Sequence, residues 1–182
     1  MTREPVIETA RLILREWDDA DRAPFAVMSS DAEVMRHFPA TLNRAESDAM
    51  IDRITHSIAT EGFGFWALER KDDEAFLGFT GLQTVRVESP IEDDVEIGWR
   101  LATPYWGRGY AREAAEASLA WMWSNLDRPR VVSMTIADNA PSWGLMLRLG
   151  MERARHLDFE HPALAPGDRC RRHVVYVKDR PL

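Results

Sequence analysis

The chain has 182 residues, 45% of them hydrophobic, and carries 23 Lys and Arg against 30 Asp and Glu for a net charge of −7. That is the size of one ordinary domain with enough apolar side chain for a sizeable core, and it excludes a disordered polymer. No basic run offers a nucleic-acid face, no window approaches a membrane span, no signal-type apolar segment lies near Met1, and the single cysteine, Cys170, permits no internal disulfide. The expectation is one cytoplasmic domain over residues 1–182. Its acidity suits a cationic, amine-bearing substrate, although solubility alone accounts for such a charge.

Leu12-Ile13-Leu14 reads as a first strand whose bulky residues break alternation, as in a strand covered on both faces. Asp18 and Asp19 offer caps for a helix to about Met28, and residues 31–36 add a helical turn ended by Pro39. A longer helix is expected from about Arg44 to Thr60, with Met50, Ile54 and Ile58 as its stripe and Gly62 as its stop. Phe65-Trp66-Ala67-Leu68 and residues 75–85 then form a hairpin around the charged turn Lys71-Asp72-Asp73-Glu74.

The central stretch follows. Val95, Ile97, Trp99 and Leu101 alternate with Asp94, Glu96, Gly98 and Arg100, so one face of this strand is apolar and the other carries two carboxylates. The strand breaks at Thr103-Pro104, passes Gly107-Arg108-Gly109, and continues as an alanine-rich helix with Ala111, Ala115, Leu119, Met122 and Leu126 on one side. Glycines here bare backbone N–H groups at a helix start, an anion site suited to phosphate. A tight connection that binds nothing accounts equally for a lone Gly-x-Gly. The turn is neither a Rossmann fingerprint nor a P-loop, since the third glycine and the Lys-Ser/Thr pair are missing. Residues 131–136 form the next strand, Pro141 opens a helix that Asn139 caps and Gly150 closes, and strands near 153–159 and 173–178 finish the chain.

Two motifs now stand together. Trp106-Gly107-Arg108-Gly109-Tyr110-Ala111 and, downstream, Asn139-Ala140-Pro141-Ser142 with Leu145 and Leu149-Gly150-Met151 resemble the GNAT superfamily of acyl-CoA-dependent N-acyltransferases. Its corresponding runs are Gln/Arg-x-x-Gly-x-Gly/Ala and Asn-x-x-Ala/Ser…Leu-Gly-Phe; Trp106 replaces the usual Gln or Arg. The look is closest to the branch that acetylates protein N-termini, ribosomal proteins included. The resemblance implies an α/β domain whose mixed, mostly antiparallel sheet of about seven strands splays at the central strand between about four helices. It implies acetyl-CoA as co-substrate, no metal, and direct attack by a primary amine, of a small molecule or a protein N-terminus, in a ternary complex. Monomer and homodimer both fit. A catalytically idle CoA-binding module of the same fold is the alternative, which Trp106 and Met146 make credible.

Site roles follow from the resemblance. Backbone groups of Trp106, Gly107, Arg108, Gly109, Tyr110 and Ala111 are expected around the CoA diphosphate, with Arg108 and Arg112 near phosphate. Main-chain groups of Trp99, Arg100 and Leu101 are expected along the pantetheine arm, and an N–H near residues 98–100 at the developing oxyanion. Asn139 corresponds to the asparagine that bonds pantetheine. Glu96 is the first candidate to take the amine's proton, with Asp94 on the same face raising its pKa; either also suits a substrate ammonium or a solvated strand edge. Met146 occupies the position of the family's tyrosine acid, which leaves Ser142 as acid, cofactor contact or a locally bonded helix hydroxyl. Glu160 and His161, in a loop that borders the acceptor pocket in relatives, are a base or substrate contact, or simply the turn before Pro162. His37, His56, His156 and His173 have no metal-ligand spacing.

Overall fold

The computed structural model describes residues 5–181. Nine strands form one sheet: β1 (Pro5–Glu8), β2 (Leu12–Arg15), β3 (Phe65–Arg70), β4 (Phe76–Thr84), β5 (Val95–Leu101), β6 (Arg130–Ile136), β7 (Glu152–Arg153), β8 (Phe159–Glu160) and β9 (Arg172–Asp179). Their spatial order is β1-β2-β3-β4-β5-β6-β9-β7, with β8 also on β9, and every pair is antiparallel except β5–β6. Four α-helices accompany it: α1 (Arg22–Ser30), α2 (Arg44–Glu61), α3 (Tyr110–Asn125) and α4 (Ala140–Arg148). The strand count exceeds the expected one for two reasons. An edge strand precedes Thr9, and the strand expected near 153–159 is two short bridges separated by a 3-10 turn at Arg155–Leu157.

Local chemistry accounts for the element ends. The Asn43 side chain accepts from Glu46 N–H at 3.0 Å while the Asn43 N–H donates to Glu46 at 2.8 Å, a reciprocal cap that starts α2. Gly62, at φ +79°, closes that helix. Ile51, Ile54 and Ile58 are its buried stripe, and Met50 is only partly buried. The helix expected from Asp18 is a 3-10 turn at Asp19–Asp21 before α1, and residues 31–36 contribute turns rather than helix.

The two faces of the sheet are packed differently. On one, Trp66 meets Trp121 of α3 edge-on at 5.1 Å. On the other, Phe65 stacks on Phe79 at 5.1 Å, and Phe79 lies 6.1 Å from Phe25 of α1. Arg15 ties β2 and β3 to the first turn by bonding Asp21 at 2.7 and 2.9 Å and Glu69 at 2.8 Å, with all three residues buried.

The position that matters for function is the seam between β5 and β6. β4 pairs with β5 along its whole length, from Gly78↔Leu101 to Thr84↔Val95, whereas β5 and β6 share the single register pair Glu96↔Val132. Beyond that point the Ser133 hydroxyl donates to Ile97 C=O at 2.9 Å. The sheet therefore splits on the C-terminal side of Glu96.

Candidate active site

Three features converge at this split. The first is the turn that follows β5. Gly107 and Gly109 hold φ +71° and +80°, left-handed values that glycine adopts without strain, and Gly109 precedes α3 with no side-chain cap. A Cβ on Gly107 would meet nothing within 4 Å, and one on Gly109 only Arg11 Nη2 at 3.4 Å. The turn is open above its backbone, and the first N–H groups of a 16-residue helix face that space with the positive end of the helix dipole.

Neighbouring side chains hold the turn rather than cover it. The Trp106 indole donates to Leu101 C=O at 2.7 Å, which pins the turn to the end of β5. This gives the departure from the family's Gln or Arg a structural role, and it occupies a carbonyl expected along the pantetheine arm. Arg11 donates to Arg108 C=O at 3.0 Å and to Glu113 at 2.6 Å, and it lies 4.6 Å over the Tyr110 ring. Arg11 escaped the sequence reading because its partners lie about a hundred residues away. Arg108 itself is exposed, and Arg112 pairs with Glu116 at 2.8 Å on the surface.

The second feature is Glu96. Only 9% exposed, it accepts a single bond, from Gln83 Nε2 across the β4–β5 pair at 3.3 Å. Burial pushes its pKa up to about 7, against the lesser opposing pull of Gln83. The cause differs from the one expected from sequence. Asp94 does not repel Glu96, because Arg130 binds it twice, at 3.0 and 2.7 Å, and this pairing takes Asp94 out of the role of a free substrate carboxylate.

The third is the region of α4. Asn139 holds the N-cap position of α4, where its C=O accepts from the Ser142 and Trp143 N–H groups at 3.1 and 3.2 Å, but its side chain does not cap: Nδ2 donates to Thr135 Oγ1 at 2.9 Å. The Ser142 hydroxyl is half-buried and makes no hydrogen bond among the described residues. Met146, at the family's tyrosine position, is fully buried in the core.

Glu160 and His161 lie apart from this group. β6 and β9 intervene between β8 and β5, Glu160 pairs with Arg171 at 2.8 Å, and His161 lies 5.4 Å from His173. Two open depressions of about 510 Å³ lie on the outer side of α2 around Glu61 and Arg86, and neither includes Glu96. Among the described residues no group of His, Cys, Asp and Glu is placed to hold a metal, and no helix is long and apolar enough to cross a membrane.

The Acetyltransferase (GNAT) domain model matches residues 11–152. The chain belongs to the GNAT acetyltransferases. Among its relatives, the N-acetyltransferase YoaA of Bacillus subtilis is 28% identical over 152 residues, covering 82% of this chain and 84% of YoaA. The fold matches the ribosomal-protein alanine acetyltransferase of Vibrio fischeri, with a TM-score of 0.68 at 14% identity over 95% of both chains. It matches the microcin self-immunity acetyltransferase MccE, solved with acetyl-CoA and AMP, with a TM-score of 0.73 at 14% identity over 94% and 93% of the two chains. As a GNAT enzyme it is an acyl-CoA-dependent N-acetyltransferase, and the α/β fold with its split, mostly antiparallel sheet is the one the two sequence motifs implied.

Proposed function

We propose that this GNAT enzyme moves an acetyl group from acetyl-CoA to a primary amine by direct attack, with Glu96 taking the amine's proton. The carrying observation is Glu96 itself: a nearly enclosed carboxyl, unpaired with any cation among the described residues, whose pKa is pushed up to about 7 at the mouth of the split in the sheet. A base titrating near neutrality is half ionised there and can take the proton that the attacking nitrogen gives up as its bond to the carbonyl forms.

The residues present fit the co-substrate. The open glycine turn and uncapped start of α3 suit a diphosphate, and the parting of β5 from β6 leaves strand edge free for an extended arm. When bound, acetyl-CoA supplies a thioester carbonyl and a thiolate leaving group. This chain's part is to orient that carbonyl at the split, to accept the amine proton on a Glu96 oxygen, and to hold a main-chain N–H near residues 98–100 toward the carbonyl oxygen. Ser142, with its unengaged hydroxyl, is the candidate to meet the leaving sulfur or the pantetheine. A thiolate is a fair leaving group in water, so a Ser142→Ala enzyme should keep most of its rate, within about tenfold.

The acceptor is a small amine or a protein N-terminus. The test is thiol release from acetyl-CoA with a panel of amines. Acceptor-dependent release that falls about 10²–10⁴-fold in Glu96→Gln supports the reading. Release that persists unchanged in the variant removes Glu96 from the chemistry.

A further inference from the structure

The guanidinium of Arg100 is placed where a structural arginine would not be. It lies on the same face of β5 as Glu96, with Gly98 between them, which sets the two Cα atoms about 13 Å apart. Its Nε is enclosed and has no hydrogen-bond partner, and its Nη1 faces only Met50 Sδ at 3.8 Å. Phe38 and Phe79 flank it, with ring centroids 4.2 and 5.3 Å from its Cζ. Arg100 as a whole is partly buried, and among the described residues it forms no ion pair, whereas the fully buried Arg15 is held by two carboxylates. Aromatic faces attract a cation but supply no oxygen lone pair, and a thioether is a weak acceptor. An enclosed charge without a counter-charge costs stability, and a chain keeps it where something else supplies the anion.

A Cβ at Gly98 would come within 2.9 Å of the Phe65 ring, so only glycine fits there, and that ring fills the space the glycine leaves and floors the gap between Glu96 and Arg100. Glu96 Oε1 lies 3.9 Å from that same point, so the carboxyl leans along the strand toward Arg100. The wall over Arg100 is fixed from outside: Arg169 donates to Arg36 C=O and Phe38 C=O, both at 2.8 Å, and so seats the loop that carries Phe38. An acidic group and a basic group on one face, one glycine apart, complement a ligand with an ammonium at one end and an anion at the other. One guanidinium balances one negative charge, and its planar fork matches a carboxylate; a phosphate dianion would leave charge uncompensated among the rings.

We infer that the acceptor is a small amino acid, whose amine meets Glu96 while its carboxylate is bound by Arg100. This rests on Glu96 as the amine's site in the proposed function and adds the substrate class. The test is calorimetric binding, in the presence of CoA, of glycine, β-alanine, 4-aminobutanoate, 5-aminopentanoate and glutamate. Each is paired with its carboxamide, and phosphoethanolamine is added as the phosphate arm. Wild-type protein should bind at least one of the acids about 10–150-fold more tightly than its amide, and Arg100→Met should erase that difference. The variant should also melt a few degrees higher than wild type, because an enclosed unpaired cation has gone; a structural arginine would give a lower melting point. Acids that bind no better than amides, tighter binding of phosphoethanolamine, or a melting point lowered by Arg100→Met each overturn the inference. Failure of the parent reading looks different: Arg100-dependent binding of an acid whose acetylation is as fast in Glu96→Gln as in wild type retires Glu96 as base and leaves the anchor standing. Release with amides and acids alike does the reverse.

Discussion

At the scale of single residues, Glu96 decides most. The alternation of β5 placed it on a polar face beside Asp94, and sequence went no further, because neither the bond from Gln83 nor the pairing of Asp94 with Arg130 is local. The raised pKa makes a stability prediction with a definite sign. The folded value of about 7 lies above the ordinary 4.5, so between those pH values the folded chain holds a proton that the unfolded chain has lost. This group's contribution is intact below pH 4.5 and is lost as pH rises through 7, a span worth at most about 3 kcal/mol. Glu96→Gln, which cannot ionise, should therefore gain on wild type in melting temperature from pH 5 to pH 8, by up to several degrees. A difference that stays flat across that range would show that Glu96 is not desolvated. Arg100 was legible in part: the same alternation put it on Glu96's face, but only the packed structure shows its Nε enclosed between Phe38 and Phe79.

At the scale of elements, the turn between β5 and α3 was readable because its chemistry is carried by adjacent glycines, and their left-handed φ values bear this out. Trp106 could be seen to depart from the motif, yet its bond to Leu101 C=O depends on how the turn folds back onto the strand. Trp106→Phe removes that bond and should weaken CoA binding by about three- to tenfold, as a titration of CoA would show. Gly109→Val, at φ +80°, should abolish CoA binding, because a branched side chain strains the turn and fills the space over its N–H groups. The ion cluster linking β2, β3 and the first turn makes a separate claim. Arg15→Ala leaves Asp21 buried without the guanidinium that binds both its oxygens, and should cost about 3–5 kcal/mol in a denaturant titration. The C-terminal strands were the least legible, since β7 and β8 are two residues each and carry almost no period.

At the scale of the whole molecule, periodicity located most of the elements, and the mixed, mostly antiparallel sheet came from the family that the two motifs resemble. What they did not give is where along β5 the split falls, just beyond Glu96↔Val132, a property of how β5 and β6 diverge rather than of either strand alone. If that split and the turn beside it hold CoA, saturating CoA should raise the melting temperature of wild type, by roughly 2.7 kcal/mol of linkage at a hundredfold excess over Kd. Gly109→Val should show no such rise.

The most direct measurement is the pH dependence of kcat/KM for an acceptor whose amine titrates well above 8, in wild type and in Glu96→Gln. Wild type should lose activity below an apparent pKa of about 7, and the variant should be slow and lack that limb while binding CoA normally. The same limb in the variant, or a variant as fast as wild type, would contradict the account.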